Sequence, residues 1–276
     1  MMDIQQTTFI GVDPTYCNKA FRFASLNHDL KMLTLEEGEL DEVVAFISGQ
    51  PSAYVAVNAP SGLNIGLVKD DETRQTLPSL RRASRGKDMR LVEHTLRERG
   101  IYVATTPATK ELCPAWVQSG FACYQSLKKL GYQRYPQAES PYQYLETHAQ
   151  AAFIVLLGQM PFSKAALEGQ LQRQLLLHEL GISIRDPMDF FEEITRHKLL
   201  KGILPVEMLN HGGELDALMA AYVAFMAANH PDEVVLLGDV AEGQVVLPVK
   251  ELKESYQNPL RYQQNSYLFD FLSNSD

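Results

Sequence analysis

The chain has 276 residues, enough for one large domain or two small ones with a full hydrophobic core. Hydrophobic residues make up 45% of it and charged residues 21%, an ordinary soluble composition. The net charge of −9 argues against a general affinity for the nucleic-acid backbone, which needs many lysines and arginines, but it is compatible with a local basic patch beside an acidic metal site.

The N-terminus and the cysteines indicate a reducing compartment. The opening MMDIQQTTFIGVD has no basic segment and no long apolar run, so neither secretion nor membrane insertion is predicted. Cys17, Cys113 and Cys123 are odd in number and show no CxxC spacing, which is typical of reduced thiols packed as small hydrophobes. We therefore expect a cytoplasmic protein.

The first third of the chain predicts a β-meander followed by a crossover helix and another strand. TTFIGVD (7–13) is an apolar run ending in an acid, KAFRFASLN (19–27) alternates as a half-buried strand, and LKMLTLEEG (30–38) follows a short polar turn. ELDEVVAFISG (39–49) carries an apolar helical face and leads into AYVAVNAP (53–60). A strand–helix–strand series of this kind places the last strand parallel to an earlier one.

Residues 61–140 are less regular and predict a helical insertion packed beside the sheet. DMRLVEHTLRERG (88–100) and AWVQSGFACYQSLKKLGY (115–132) are its two helices, and each has a glycine as its stop signal. Because no flexible linker brackets the insertion, we expect one domain over residues 1–253 and a polar tail over 254–276.

The rest of the chain predicts a strand, four helices and two closing strands. ELDALMAAYVAFMAANH (214–230) is the strongest helix and is apolar on most sides, so it is expected to be buried. The predicted order is strand 142–150, helices 151–158, 166–181, 187–202 and 214–230, and strands 233–239 and 243–249.

Polar residues stand at the ends of several buried elements. Asp13 ends the first strand, Asn58 ends the strand expected beside it, and Glu146 ends a later strand. Asp216 is expected in the first turn of the buried helix, where the helix dipole supports an acid. If the three strands are parallel neighbours, the four side chains converge at one edge of the sheet, where open α/β sheets place their chemistry.

Clustered carboxylates point to a metal. Carboxylates held together repel one another unless a cation neutralises them, and hard oxygen ligands select Mg²⁺ or Mn²⁺. Two such ions about 4 Å apart activate a water and stabilise the leaving oxygen of a phosphodiester. The pattern therefore predicts Asp13, Glu146 and Asp216 as metal ligands, with Asn58 as a neutral fourth member.

Each of these acids also has a purely structural interpretation. Asp13, before Pro14, is a suitable turn residue, Asp216 a suitable helix-start residue, and Glu146 a solvated strand end. Only the joint pattern favours a metal site.

Five stretches of the sequence resemble a known family in their order and spacing. FIGVDPT, VAVNAPSG, YLETHAQAAF, DPMDFFEEITRHKLL and ELDALMAAYVAFMAANHP look like the domain-of-unknown-function 429 family of predicted RNase H-like nucleases. The likeness extends from Phe9 to about Val249. It implies an RNase H-like α/β fold: a mixed sheet with three antiparallel strands and then parallel ones, flanked by helices.

The resemblance also implies a divalent-metal site. Carried over by position, its acids fall on Asp13, position 58, Glu146 and Asp216. This chain has Asn58 where the family has Asp, and Ala149 where Pro often follows the His. An amide brings no charge, so we expect one ion or weak binding, with low or absent hydrolysis.

Two further features are candidates for substrate binding. His148, two residues after Glu146, is expected on the same side of an extended strand, either orienting a water or a phosphate or serving as a structural histidine. The stretch LRRASRGKDMR is either a phosphate-binding loop or a solvated basic loop. Its basic residues are Arg81, Arg82, Arg85, Lys87 and Arg90.

Other enzyme classes have less support. No HxxxH or HExxH spacing indicates zinc, and Ser61 and Ser119 lack the G-x-S-x-G elbow of a serine hydrolase. Asp239 and Glu242 follow a buried strand and serve either as an outer shell of the site or as a hairpin turn. Actin-like and sugar-kinase ATPases share such a core, but here no glycine-rich phosphate turn follows Asp13 and there is no second copy.

We therefore predict a metal-dependent nuclease that uses Mg²⁺ or Mn²⁺ and contacts nucleic acid through the local basic loop. The alternative is a catalytically inactive RNase H-like module that binds nucleic acid or protein, for which Asn58 is the best argument.

Overall fold

Short apolar runs build a mixed sheet at the centre of the molecule. A computed structural model describes residues 6–14, 20–69, 88–138 and 140–257. Within these ranges the strands are β1 (Thr8–Asp13), β2 (Phe21–Leu26), β3 (Met32–Gly38), β4 (Ala53–Val57), β5 (Gln133–Arg134), β6 (Tyr142–Glu146), β7 (Val235–Asp239) and β8 (Gly243–Leu247).

Helices flank this sheet. In the same ranges they are α1 (Leu40–Ser48), α2 (Leu91–Glu98), α3 (Ala115–Lys129), α4 (Ala149–Leu157), α5 (Leu167–Glu179), α6 (Asp189–Glu192), α7 (Arg196–Leu200) and α8 (Gly212–Asn229). No helix in the described part of the chain is both long and apolar enough to cross a lipid bilayer.

The sheet order is β3-β2-β1-β4-β6-β8-β7, with β5 paired to β6. β2 is antiparallel to β1 and β3, whereas β1, β4, β6 and β8 run parallel, and β7 returns antiparallel to β8. Antiparallel strands followed by parallel ones, with helices on both faces, confirm the predicted RNase H-like α/β class.

Alternation along the strands divides the core into two layers. Phe9 of β1 and Ala56 of β4 face the layer that contains α4 and α8. Ile10 of β1 and Val57 of β4 face the layer that contains α1 and α3. Because side chains alternate faces along a strand, this parity decides which polar residues at the strand ends share a side of the sheet.

Three predicted elements differ in detail. β2 is buried along its whole length, so it is covered on both faces and is not half-buried. The helix predicted over 187–202 is two short helices, α6 and α7. α8 begins at Gly212, so Asp216 lies in its second turn; Glu214 is the acid of the first turn, where it accepts a hydrogen bond from the His211 N–H (2.7 Å).

The segment between β4 and β6 contains α2, α3 and β5 joined by irregular chain. Its description as an insertion, and the domain limits 1–253 and 254–276, stay predictions. Cys113 and Cys123 are buried free thiols, while Cys17 is outside the described residues.

Close packing of α8 on β1 requires a glycine at position 11. A Cβ on Gly11 would overlap the backbone of α8 at Ala217 and Ala221, which no side-chain rotation relieves. We expect Gly11→Ala to lower the free energy of unfolding by about 3 kcal/mol or more in urea denaturation.

Gly49→Ala is the matched control for this substitution. Gly49 has a φ of −78° and its added Cβ would meet only ordinary van der Waals contacts, at 3.6 Å or more. Its stability should be unchanged or slightly raised; equal losses in both variants would contradict the close-packing account.

Candidate metal and phosphate site

Asp13 and Asn58 meet at the carboxyl edge of the sheet. The parallel register pairs Val12 with Val57, so the two polar residues that follow lie side by side on the face covered by α8. The Asn58 Nδ2 donates a hydrogen bond to the Asp13 Oδ1 (3.0 Å), and both side chains are buried.

The Asn58 amide has only one consistent orientation. Its Oδ1 accepts from the Ala149 N–H at the start of α4 (2.8 Å), while its Nδ2 faces Asp13. Exchanging the two amide atoms would set donor against donor and acceptor against acceptor. Asn58 therefore offers Asp13 a neutral donor, and its oxygen is occupied by the backbone.

Asp216 approaches this pair from α8. Lys164 donates to its Oδ2, whereas its buried Oδ1 has no hydrogen-bond partner among the described residues. Burial raises the pKa of Asp216 to about 6; the Lys164 ammonium opposes this shift and the Asp13 charge adds to it. The two carboxylates therefore influence each other electrostatically, which a shared cation would relieve.

Glu146 does not join these two carboxylates. It pairs in register with Val57 and so lies on the opposite face of the sheet from Asn58. Arg90 donates to its Oε1 (2.7 Å), and the Ser61 N–H (2.7 Å) and hydroxyl (2.6 Å) both donate to its Oε2. Both of its oxygens are therefore already occupied.

Arg90 is the centre of a buried charge network. Its Nε donates to Glu93 (2.8 Å), and its Nη1 to the main-chain carbonyl of Glu242 (3.0 Å). Burial alone would lower the pKa of Arg90, but the carboxylates of Glu146 and Glu93 reverse this and raise it above its ordinary value. Arg90 is thus a permanently charged partner of Glu146. Because it is buried, the interpretation of the basic stretch as a solvated loop is wrong for this residue.

Glu242 binds backbone N–H groups of the segments on either side of this network. It is fully buried, and its carboxylate accepts from the backbone N–H groups of Ile65 (3.0 Å), Leu67 (3.3 Å) and Leu91 (2.7 Å). Asp239, by contrast, is exposed and accepts from the Ala241 N–H within its turn. The hairpin-turn interpretation therefore accounts for Asp239 and not for Glu242.

His148 caps α4. Its Nδ1 accepts from the Ala151 N–H (3.3 Å), so the proton of the neutral ring is on Nε2. Burial lowers the pKa of His148 to about 4, although Glu146 opposes the shift. His148 is therefore a neutral N–H donor at physiological pH.

Several of these residues line a cavity of about 290 Å³. Its polar lining residues include Asn58, Asp216, Lys164 and His148, together with Arg90, Glu93 and Glu146 of the buried charge network. Its apolar lining residues include Trp116. Apolar pockets with a few converging polar groups are the usual form of small-ligand sites.

The predicted residues are thus only partly brought together. Asp13, Asn58 and Asp216 form one cluster, and Glu146 lies beside it in its own ion pair. No three His, Cys, Asp or Glu residues within the described ranges are grouped closely enough to hold a metal, so the expected convergence of three carboxylates is not seen there. Arg81, Arg82 and Arg85 lie outside the described residues.

The donor set fits one hard cation better than two. Asp13 and Asp216 supply two carboxylates, and the Asp216 Oδ1 lacks a partner in the described part of the chain. A second ion would need the oxygens of Asn58 and Glu146, which are already bonded to Ala149, Arg90 and Ser61. The ligand roles stay predictions.

Lys164 and Ser61 belong to this region but were not predicted as part of it. Lys164 stands in the connection between α4 and α5, and its sequence neighbours MPFSKAAL carry no motif. Ser61 lies three residues after Asn58, in the stretch NAPSG. Its closeness to the end of the predicted strand was the one sequence feature that could have indicated a role near the site.

Comparison with known proteins places the chain in a family. The model of the family described as Protein of unknown function (DUF429) matches residues 11–242, most of the chain. The chain belongs to this family. The resemblance read from the motifs is thereby confirmed, while the nuclease activity stays a prediction. No curated protein and no solved structure matches the DUF429 chain.

The Asn58–Asp13 contact predicts the effect of an acid at position 58. In Asn58→Asp a second carboxylate oxygen would face the Asp13 Oδ1, about 3 Å away, without a proton between them. We expect the metal-free variant to lose about 2 kcal/mol of stability at pH 7, and to regain it in excess Mn²⁺ or at acidic pH. Thermal unfolding with EDTA and with Mn²⁺ measures this.

Asn27→Asp is the control for that variant. The Asn27 side-chain oxygen accepts from the N–H groups of Asp29 and Lys31 in a surface turn, and a carboxylate there keeps both bonds. It should show no response to Mn²⁺. An Asn58→Asp variant as stable as the wild type in EDTA would contradict the assigned amide orientation.

The Arg90–Glu146 pair predicts strong coupling. Arg90→Met leaves Glu146 and Glu93 buried without their cation and should cost about 3 kcal/mol of stability. Adding Glu146→Gln should cost less in the Arg90→Met protein than in the wild type. Urea unfolding of the four proteins gives the coupling energy.

Arg185→Met is the matched control. Arg185 forms an exposed ion pair with Asp189 (3.5 Å), so its loss should change stability little. Strictly additive losses for Arg90 and Glu146 would show that their contact is energetically unimportant.

Proposed function

We propose that this DUF429 protein is a nuclease that hydrolyses phosphodiesters with one Mg²⁺ or Mn²⁺ held by Asp13 and Asp216. The observation that carries the proposal is a pair of buried carboxylates, Asp13 at the end of β1 and Asp216 on α8, the second of which has an oxygen without a partner among the described residues. The RNase H-like class supports the same location, although fold alone does not determine function.

The bound ion would supply positive charge to a phosphoryl group under attack by water. The other residues have distinct roles. Asn58 holds the Asp13 carboxylate in position, and Lys164, whose ammonium reaches Asp216 from a half-exposed side chain, binds a phosphate oxygen by charge. The Nε2–H of His148 donates a hydrogen bond to the phosphate or to the attacking water, and this hydrogen bond orients the group that accepts it.

In the proposed site, Glu146 acts as the ion-pair partner of Arg90 and is not a metal ligand. Arg90 and Ser61 hold it beside the cluster, where its charge is neutralised. It would become a ligand only if the Arg90 contact were broken.

The basic loop remains the proposed contact to nucleic acid. Arg81, Arg82 and Arg85 lie in sequence between Lys69 and Asp88, and these two flanking residues form an ion pair (2.6 Å). Arg90, two residues after Asp88, lines the cavity. Such arginines would bind phosphates in bidentate fashion.

A second candidate function is a non-catalytic RNase H-like module that binds nucleic acid or protein. The observation that favours it is that Asn58 and Lys164 already give Asp13 and Asp216 partners without a metal. In this case Lys164 takes the place of the cation.

Cleavage of a defined substrate panel tests the proposal. Single-stranded RNA and DNA, duplex DNA, an RNA–DNA hybrid and a branched junction are incubated with the protein in Mg²⁺, Mn²⁺ or EDTA. We expect cleavage of at least one substrate in Mn²⁺, and a loss of about a hundredfold or more in Asp13→Asn and Asp216→Asn.

Asp239→Asn is the matched control, because Asp239 is also an acid at a strand end but is exposed and away from the cavity. It should retain full activity. Metal-dependent cleavage that survives in Asp13→Asn would contradict the proposed site, and nucleic-acid binding without any cleavage would favour the second candidate.

A further inference from the structure

The cavity beside Asp216 is lined by two chemically different sets of residues. One set contains the Lys164–Asp216 ion pair. The other set consists of aliphatic side chains and Trp116. The aliphatic members are Pro60, Val92, Leu96, Val103 and Val245.

The Arg90 guanidinium in the cavity lining is fully occupied within the protein. Three of its nitrogens donate to Glu93, to Glu146 and to the Glu242 carbonyl. Glu93 also accepts from the backbone and hydroxyl of Thr106. An anionic ligand group placed beside Arg90 would therefore find no available cation, so this part of the cavity suits an uncharged group.

The lining also contains neutral donors. With Nδ1 of His148 occupied by the Ala151 N–H, its Nε2 is the ring nitrogen that donates. The Gln150 Oε1 accepts from Arg173 (2.9 Å), which leaves the amide NH₂ of Gln150 as a donor. Neutral N–H donors beside an apolar wall suit the carbonyl and ring-nitrogen acceptors of a heterocycle.

The size restricts the occupant further. About 290 Å³ is at the small end of ligand pockets, so the cavity accepts one ring system and not a stretch of polymer. A lysine for a phosphate and an apolar, partly aromatic lining for a flat neutral ring together suit one nucleotide. Bases taken out of a stack are bound in this way, between aromatic and aliphatic side chains.

We propose that this cavity binds a single unstacked nucleobase of the substrate, next to the phosphate at Lys164 and Asp216. This assignment rests on the proposed function and extends it: the enzyme would act on single-stranded or locally unpaired nucleic acid. A fully paired duplex cannot place a base in the cavity without opening a base pair.

Trp116 makes the inference directly testable, because it is the only tryptophan in the chain. Each of the four nucleoside 5′-monophosphates is titrated into the full-length protein in EDTA, with excitation at the red edge of tryptophan absorption to avoid the nucleotides. Ribose 5-phosphate and inorganic phosphate are titrated in parallel as ligands that carry the phosphate without a base. We expect saturable quenching by at least one nucleotide and none by the two base-free ligands.

Two neighbouring substitutions locate the binding. Ala104 is exposed at the rim and lines the cavity, whereas Thr105 is exposed and does not line it. Ala104→Leu should raise the Kd of the quenching nucleotide about tenfold or more, and Thr105→Leu should leave it unchanged. Unliganded melting temperatures check that both variants fold.

Three outcomes would overturn the inference: no saturable quenching by any nucleotide, equal quenching by ribose 5-phosphate, or equal effects of the two leucine variants. The measurement needs neither metal nor turnover. Nucleotide binding in a protein that cleaves nothing would therefore contradict the proposed nuclease function and still support the base pocket.

Discussion

The buried ion pair between Arg90 and Glu146 decides which carboxylates remain at the carboxyl edge of the sheet. Without a cation, Glu146 would be a further buried and uncompensated negative charge at this edge of the sheet, and burial would favour its protonated form. Arg90 supplies that cation from the N-cap of α2. The same guanidinium binds Glu93 and the Glu242 carbonyl, so the segment after β4, α2 and the β7–β8 turn are all positioned around it.

At this edge of the sheet, cationic and amide side chains of the protein compensate the carboxylates, a task that metal ions perform in a site with four acids. Arg90 neutralises Glu146, Lys164 neutralises Asp216, and Asn58 meets Asp13 with an amide in place of a charge. The proposed single divalent ion would bind at the remaining negative charge, on Asp13 and Asp216. The amide at the end of β4 thus has a physical explanation: Asn58 bridges Asp13 and the start of α4 in a way that an acid could not without a proton or a cation.

The fold was predictable because it is encoded in local patterns, whereas the site depends on register. Apolar runs and glycine stops marked the strands and the long helices, and the strand–helix–strand order implied parallel pairing. The pairing of Val57 with Glu146 puts that acid on the other face from Asn58, and a one-residue difference of this kind is not visible in a motif that ends in an acid. Lys164 comes from a connection without any pattern, and Arg90 was grouped with a basic run although its burial depends on distant carboxylates.

The central claim is that one divalent ion binds at Asp13 and Asp216 without Glu146. Counting the divalent ions bound by the wild type and by a Glu146 variant tests this claim most directly. Isothermal titration of Mn²⁺ into the wild type, Glu146→Gln and Asp216→Asn gives both stoichiometry and affinity. The account predicts one ion per chain in the wild type, the same ion with unchanged affinity in Glu146→Gln, and loss of binding in Asp216→Asn. Two ions in the wild type, or loss of binding in Glu146→Gln, would contradict it.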